Sequence, residues 1–381
     1  MQYRSFGKLD WQVSALGFGS MRLPLLDNNQ SHINETEAIH MIRYAIDHGV
    51  NYLDTAYLYH EGFSEVVVGQ ALRDGYREKI RLATKLSASA VESANDFDRV
   101  LNEQLERLQT NSIDYYLLHG LNRKFWAKLR DLGVIRWAEE AMKDGRIRYL
   151  GFSFHDEFHV FKEIIDAYDN WTLCQIQYNY VDQEYQAGSK GLKYAASKGL
   201  AVVIMEPLRG GGLTGELPEP IEKLWASAPC KRSLAEWGLL WVWNQPEISV
   251  VLSGMSTMEQ VIENVSIAER SRPNILTPTE LQLIDKVGLA YSGLRPISCT
   301  NCSYCLPCPN SVGIPQIFAL YNDALVYDKL RPSKFHYKIL LNKEQRADSC
   351  LECLECVEKC PQGIPIPDWL KKAHVLLDTT G

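Results

Sequence analysis

Between about residue 10 and residue 270 the chain alternates, eight times over, between a short apolar run and a longer segment of helical periodicity. The apolar runs are Val13–Phe18, Val50–Leu53, Ile80–Ala83, Ile113–Leu118, Ile147–Phe152, Leu173–Gln177, Leu200–Met205 and Ile248–Leu252. The helical segments are Glu35–His48, Ser64–Arg73, Asp96–Leu108, Phe125–Lys143, Glu157–Tyr168, Ser189–Ser197, Ser233–Trp243 and Thr257–Ala268. Unbroken apolar strands are buried on both faces, and a helix between successive strands imposes parallel pairing with right-handed crossovers. Eight such units fit a closed (β/α)8 TIM barrel. An open doubly wound sheet would more often show five or six strands and a three-glycine turn after the first. Here Gly17-Phe18-Gly19-Ser20-Met21 lacks the third glycine.

Beyond the alternation, Thr277–Gly288 reads as one further helix and Tyr291–Pro296 as a linker. After the linker, Ile317–Tyr327 has helical periodicity and Leu330–Asn342 is less regular. The expected organisation is of the α/β class, a (β/α)8 barrel over 1–290 followed by a small ferredoxin-like iron–sulfur domain over 291–381, for the following reason. Of ten cysteines, eight fall in two short runs: Cys299, Cys302, Cys305 and Cys308, then Cys350, Cys353, Cys356 and Cys360. A disulfide framework would spread its cysteines to close long loops and would need an oxidising compartment. Cysteines three apart can instead wrap one inorganic centre.

The second run, with Pro361 after its last cysteine, has the spacing of bacterial ferredoxins, in which three thiolates bind one cubane and the fourth crosses to the other. The first run, ending Cys308-Pro309, is one residue shorter before its last cysteine. Because that cysteine reaches the other cluster, the shortening leaves both sites whole. One 4Fe-4S cluster is therefore assigned to Cys299, Cys302, Cys305 and Cys360, and the other to Cys350, Cys353, Cys356 and Cys308. The rival, a pair of four-thiolate zinc sites, would show two cysteine pairs separated by a loop.

With 40 Lys and Arg against 47 Asp and Glu, the formal net charge is −7, which argues against a nucleic-acid or anionic-membrane partner. No apolar stretch approaches the ~18 residues that cross a bilayer, and Met1–Asp10 lacks a signal-peptide core. The expectation is a soluble cytoplasmic protein.

In a parallel barrel, chemistry gathers at the C-terminal ends of the strands. Those ends carry Asp54 and Tyr59 after the second strand, Lys85 after the third, His119 after the fourth, Ser153 after the fifth, and Gln175 and Gln177 on the sixth. A buried lysine needs a counter-charge, and Asp54 can supply it from the adjacent strand. A phenol beside an ammonium gives up its proton more readily. Such a group can protonate a carbonyl oxygen while hydride arrives at carbon.

Asp54-Thr-Ala-Tyr-Leu-Tyr59 with Ser64-Glu65, Ala83-Thr-Lys85 and Leu118-His119 resemble the catalytic tetrad of the aldo/keto reductases, over a stretch from about Arg4 to Asn264. The resemblance implies that Tyr59 is the general acid, Lys85 depresses its pKa, Asp54 holds Lys85, and His119 orients the carbonyl. It also implies a nicotinamide site at Ser153 and Gln175, with Gly19, Ser20 and Met21 beside the cofactor and Glu263 and Asn264 at its adenine. Gln260 lies one helical turn before that pair. Pro207, Leu208, Arg209 and Gly210 after the seventh strand, and Gly254 after the eighth, lie where barrels often bind phosphate.

Two departures bear on the cofactor. In NADPH-using relatives basic residues follow the eighth strand, whereas Ser253–Gln260 contains no Lys or Arg, which inclines the reading toward NADH. Met205 stands where many relatives place the aromatic that stacks on nicotinamide. These departures leave room for a flavin, the usual intermediary between two-electron nicotinamide and one-electron clusters.

The leading expectation is an oxidoreductase passing hydride between NAD(P)H and a small carbonyl or alcohol, with the clusters exchanging electrons with a ferredoxin-like partner. The alternatives are a plain carbonyl reductase whose cluster domain is structural or a docking module, and a flavin-linked electron-transfer enzyme. The expected substrate walls are His60, Phe63, Leu121, Phe154 and His155.

Overall fold

The computed structural model describes residues 1–27, 29–294, 296–326 and 329–378. Arg295 of the expected linker and Tyr327 of the expected helix lie outside the described residues, as do the last three residues of the tail. The chain forms two compact units, one from Met1–Pro207 with Ser233–Thr277, the other from Leu208–Arg232 with Pro278–Gly381.

The first unit opens with an antiparallel hairpin, β1 (Tyr3–Phe6) and β2 (Leu9–Ser14). Eight parallel strands follow: β3 (Leu16–Gly19), β4 (Tyr52–Asp54), β5 (Arg81–Ser87), β6 (Ile113–Leu121), β7 (Ile147–Phe154), β8 (Leu173–Gln177), β9 (Ala201–Met205) and β10 (Ile248–Ser253). Their order is β10-β3-β4-β5-β6-β7-β8-β9, with β9 closing onto β10, so the barrel is complete. Between the strands run α1 (Glu35–Asp47), α2 (Phe63–Ala71), α3 (Asn95–Leu108), α4 (Arg123–Asp131), α5 (Val134–Lys143), α6 (Phe158–Asp166) and α7 (Gly188–Ser197).

Two expectations about this unit are corrected. The run Val13–Phe18 is two elements: Val13 and Ser14 pair with the hairpin, and only from Leu16 does the chain enter the barrel. The hairpin plugs the barrel's N-terminal end. Phe6 packs on Tyr52 and Tyr115, which point inward from β4 and β6, at ring distances of 5.9 and 4.7 Å, and Trp11 meets it edge-to-face. The segment Phe125–Lys143 is broken by Gly133, whose φ of +81° is a left-handed turn that ends α4 and starts α5. Its apolar periodicity survives the break, which is why the two helices read as one.

In the second unit, α8 (Glu219–Ala226) packs against α11 (Pro278–Leu294). α9 (Leu234–Trp243) and α10 (Met258–Ala268) return to the barrel unit. α11 runs six residues beyond the expected Gly288. Most of the expected linker is therefore helical, because Tyr291 is buried and continues its apolar face. The second unit then contains α12 (Ile314–Val326), α13 (Leu330–Phe335), a π-helical turn at His336–Leu340, α14 (Glu355–Lys359) and α15 (Ile366–Asp378). Its own core gathers Ile314, Ile317, Phe318, Tyr337, Ile366 and Leu370.

Near the plugged end, buried Asp114 ties β6 to β5. Its carboxylate accepts the Leu82 amide at 3.0 Å and pairs with Arg81 at 2.9 Å and Arg77 at 2.8 Å. Asp114→Ala leaves that amide unsatisfied and both guanidiniums without this partner. It should lower barrel stability by about 2–3 kcal/mol, read as an earlier midpoint in urea unfolding monitored by tryptophan fluorescence.

Candidate active site

β4 ends at Asp54, Lys85 lies toward the C-terminal end of β5, and His119 lies on β6 opposite Ser87, so adjacent strands deliver three ionisable groups to one end of the barrel. Lys85 is fully buried, and its three ammonium N–H bonds have three acceptors: Asp54 Oδ1 at 2.6 Å, the Thr55 carbonyl at 2.7 Å and the Tyr59 hydroxyl at 3.2 Å. Burial pushes Lys85 below its ordinary value, opposed by the Asp54 carboxylate, and pushes Asp54 up, opposed by Lys85. His119 lies edge-on to the Tyr59 ring, with centroids 5.8 Å apart. Burial, then the nearby Lys85 charge, then His155 hold its imidazole well below the usual range. His119 is therefore neutral at physiological pH and can orient an oxygen by hydrogen bonding, while the phenol remains to supply a proton.

Three left-handed residues in succession, His60, Glu61 and Gly62 (φ 52°, 57° and 95°), turn the chain from Tyr59 into α2. His60 is not a substrate wall. Its Nε2 accepts the Leu23 amide at 3.2 Å, so Nδ1–H donates to the Gln30 carbonyl at 2.8 Å, and the buried ring pins the β3–α1 loop beside Tyr59. Ser20 donates to the Asp54 carbonyl at 2.8 Å, and Ser64 donates to Ser20, so both hydroxyls hold the strand end.

A second layer escaped the sequence reading. The Glu65 carboxylate, buried under α2, accepts from Thr84 at 2.6 Å and Gln104 at 2.7 Å and pairs with Arg107 at 3.4 Å. Gln104 also donates to the Lys85 carbonyl, and Tyr116 donates to Gln104. This network fixes β5 from behind the lysine. Its only sequence signal was a scatter of polar residues at periodically apolar positions.

On the far side of the mouth, Ser153 on β7 pairs in register with Gln175 on β8, and Gln175 Nε2 lies 3.6 Å from Met205 Sδ at the end of β9. Ser153 accepts the Gly120 amide at 2.7 Å, leaving its own proton to donate. Gln175 Oε1 is buried with no hydrogen-bond partner among the described residues. A buried amide oxygen of this kind fits a ligand that brings an N–H, as the carboxamide of nicotinamide does. Gly19 lies against the Ser253 carbonyl, and Gly254 lies under the side chain of Arg22. Asn264 on α10 donates to Ser253 Oγ at 3.0 Å, while Gln260 accepts the Ser256 amide at 2.8 Å. Met21 and Glu263 are half-buried, and Pro207 follows β9. Leu208, Arg209 and Gly210 open the second unit, where Arg209 and Gly210 have φ of 51° and 64°.

In the second unit the eight clustered cysteines fall into two foursomes. Burial raises the Cys305 thiol, and so do neighbouring Cys302, Cys299 and Cys360. Burial, with Cys350, Cys308 and Cys353, pushes Cys356 up to about 11. The two loops share one backbone template. Asn301 and Ser303 are left-handed, as are Glu352 and Leu354 at the same offsets, and the Asn301 and Glu352 amides point at Cys299 and Cys350 sulfur at 3.4 and 3.5 Å. Cys299, Cys302, Cys305 and Cys360 line a small pocket whose remaining wall is mainly apolar, including Ile314, Phe318 and Ile364. Among the described residues no three Cys, His, Asp or Glu side chains close on a point that would hold one ion.

The sequence model of the aldo/keto reductase family matches residues 15–287. The chain belongs to the aldo/keto reductase family. The reductase barrel is followed by a match to the 4Fe-4S dicluster domain over residues 298–365. Among curated relatives, an uncharacterized oxidoreductase, YqkF, of Bacillus subtilis is 28% identical over 315 residues, covering 74% of this chain and 95% of its own. The NADH-specific methylglyoxal reductase of Escherichia coli is 25% identical over 303 residues, 68% of this chain and 91% of its own. Among solved structures, aldo-keto reductase AKR11C1 from Bacillus halodurans in its holo form superposes with a TM-score of 0.64 at 32% identity, covering 75% of this chain and 96% of that one. This aldo/keto reductase is thus an oxidoreductase with an iron–sulfur domain, and no helix among its described residues is long and apolar enough to cross a membrane.

Proposed function

We propose that this aldo/keto reductase passes hydride between NAD(P)H and a small carbonyl or alcohol, and that its two 4Fe-4S clusters exchange single electrons with a ferredoxin-like partner. The observation that carries the reading is the bonding of the Lys85 ammonium, which joins Asp54 to the Tyr59 hydroxyl inside the barrel mouth. When bound, the dinucleotide supplies hydride and the clusters supply one-electron storage. In the reductive direction Tyr59 gives its hydroxyl proton to the carbonyl oxygen, and the phenolate left behind is stabilised by the Lys85 ammonium. Asp54 keeps that ammonium charged and aimed, and neutral His119 orients the carbonyl. Ser153 and Gln175 would hold the nicotinamide carboxamide, with the Gln175 Oε1 accepting its N–H.

The absence of Lys and Arg from Ser253–Gln260 supports NADH over NADPH, as does the cofactor named for the Escherichia coli relative. The two cysteine foursomes are the proposed cluster ligands, and the proposed sequence boundary at 290/291 falls within α11, in the interval between the two family matches. Thiolate-bound iron in a chain with an ordinary globular surface suits a reducing cytoplasm.

Tyr59→Phe removes the proton donor without altering the cofactor pocket. NAD(P)H-dependent carbonyl reduction should fall by at least about 10²-fold, while dinucleotide binding followed by fluorescence titration stays near the wild-type value. Cys360→Ser should lower iron in anaerobically reconstituted protein from about eight toward about four atoms per chain. Broad absorbance near ~400 nm should fall with it. Zinc in place of iron, with no such band, contradicts the cluster assignment.

A further inference from the structure

We infer that His155 selects the substrate. Its Nε2 accepts a hydrogen bond from a hydroxyl on the carbon next to the reacting carbonyl, so the preferred substrates are 2-hydroxy aldehydes and ketones and, in the oxidative direction, vicinal diols. This rests on the hydride-transfer reading above and adds to it a substrate class and the residue that reads it.

Strand alternation sets where the side chains at the end of β7 point. Phe152 and Phe154 both pack on Phe161 of α6, at ring distances of 5.8 and 5.0 Å, so they face outward. Ser153 between them and His155 after them therefore face the barrel mouth, whereas Phe154, expected as a substrate wall, is turned away from it. The His155 amide donates to the Leu121 carbonyl at 2.9 Å, which carries the pairing with β6 one residue past the end of β7. On β6 the register shifts between Leu118 and Leu121, and Gly120 within that bulge has a φ of 63°. Bulges of this kind re-aim side chains beside active sites. A Cβ on Gly120 would meet the His155 ring, with Cδ2 at 4.0 Å, so the imidazole stands beside the residue that follows His119.

The two edges of that ring have different partners. On one, Nδ1 lies 3.2 Å from Gln186 Oε1. An amide oxygen only accepts, so Nδ1 carries the proton and Nε2 is left with a lone pair. Burial, opposed by the bond to Gln186, pushes the imidazole down to about 4. It is therefore neutral at physiological pH, and Nε2 remains an acceptor. The other edge, Cδ2 and Nε2, is the one turned toward Gly120, and Nε2 has no hydrogen-bond partner among the described residues. Gln186 grips the ring from a left-handed backbone, φ 56°, in the loop between β8 and α7. Strain of this kind persists where surroundings over-determine it and gathers at ligand clamps.

In the proposed reaction the carbonyl oxygen lies at Tyr59 and His119, and the carbonyl carbon faces the nicotinamide end marked by Ser153 and Gln175. A substituent on that carbon extends into the space between His119 and the end of β7, where Nε2 is the acceptor. A hydroxyl there donates to it. A methyl group would strip water from Nε2 and return nothing, and a second carbonyl or a carboxylate would set its own lone pairs against the imidazole's. The next strand keeps this sector polar: Gln177, on the same face of β8 as Gln175, donates to Asp182 at 3.1 Å, as does Asn179. A site that binds a hydroxyl through a fixed acceptor rejects the analogue without one, because the acceptor is then left unpaired.

The test compares glycolaldehyde with propionaldehyde, which carries a methyl group in place of the hydroxyl, as substrates of the full-length, cluster-loaded protein with NADH and with NADPH. The readout is the ratio of their kcat/KM values, in which a general loss of activity cancels. His155→Phe keeps a ring but offers no acceptor, and should lower the ratio by about tenfold or more relative to wild type. Gln186→Leu leaves the imidazole in place but frees its tautomer, and should lower the ratio by a smaller factor. The assignment is overturned if His155→Phe leaves the ratio at its wild-type value, with both substrates falling together or neither falling. Should His155→Phe fail to fold, Gln186→Leu carries the test, and an unchanged ratio there overturns the assignment as well. Failure of the underlying reading looks different: the wild-type protein then reduces neither aldehyde with either nucleotide.

Discussion

The buried ion pair between Lys85 and Asp54 is the constraint around which the barrel mouth is organised. Removing two charges from water costs several kcal/mol per ion, and attraction within a protein restores that only when geometry and hydrogen bonding are both good. Here both are: the contact is 2.6 Å, and the other two ammonium N–H bonds are taken by the Thr55 carbonyl and the Tyr59 hydroxyl. The pair can form only if β4 and β5 stop at matching heights, which the Asp54–Ala83 register sets. It stays aimed only if β5 cannot shift, and the Glu65–Thr84–Gln104 network provides that restraint. A stability argument alone would favour an apolar pair at this place. The ionic pair makes sense as a device for holding a phenol beside a fixed positive charge.

The electrostatics of the mouth divide the work between its groups. His119 is held neutral by its burial and by the same ammonium that faces Tyr59. The same ammonium donates to the Tyr59 hydroxyl, and in the proposed reaction it would stabilise the phenolate left when that hydroxyl gives up its proton.

Much of the architecture was legible because its signals are local. Eight apolar runs, each ended by a polar residue, identify both the closed barrel and the side chains at its mouth, since period and position carry that information directly. The cysteine foursomes were equally readable, because the spacing of thiolates around a cubane is a property of the chain itself. What escaped reading depends on contacts across sequence. The hairpin plug was hidden because Val13–Phe18 stays apolar while passing from one sheet to another. His60 looked like a pocket wall, yet its partners, Leu23 and Gln30, lie on a loop thirty or more residues earlier. Ser253–Gln260 contains no Lys or Arg, yet the Arg22 side chain reaches Gly254 from the loop after another strand, which no local spacing can reveal.

The central claim is that the Lys85 charge sets the proton-donating tendency of Tyr59, and it is tested most directly by the pH dependence of kcat/KM for carbonyl reduction in wild type and Lys85→Met. In the proposed reaction Tyr59 acts in its protonated form, so the rate is expected to decline as pH rises through the titration of the donor. With the ammonium gone the phenol holds its proton more tightly. The account predicts a lower plateau whose alkaline decline moves to higher pH. A decline at the wild-type pH, with the plateau preserved, would contradict it.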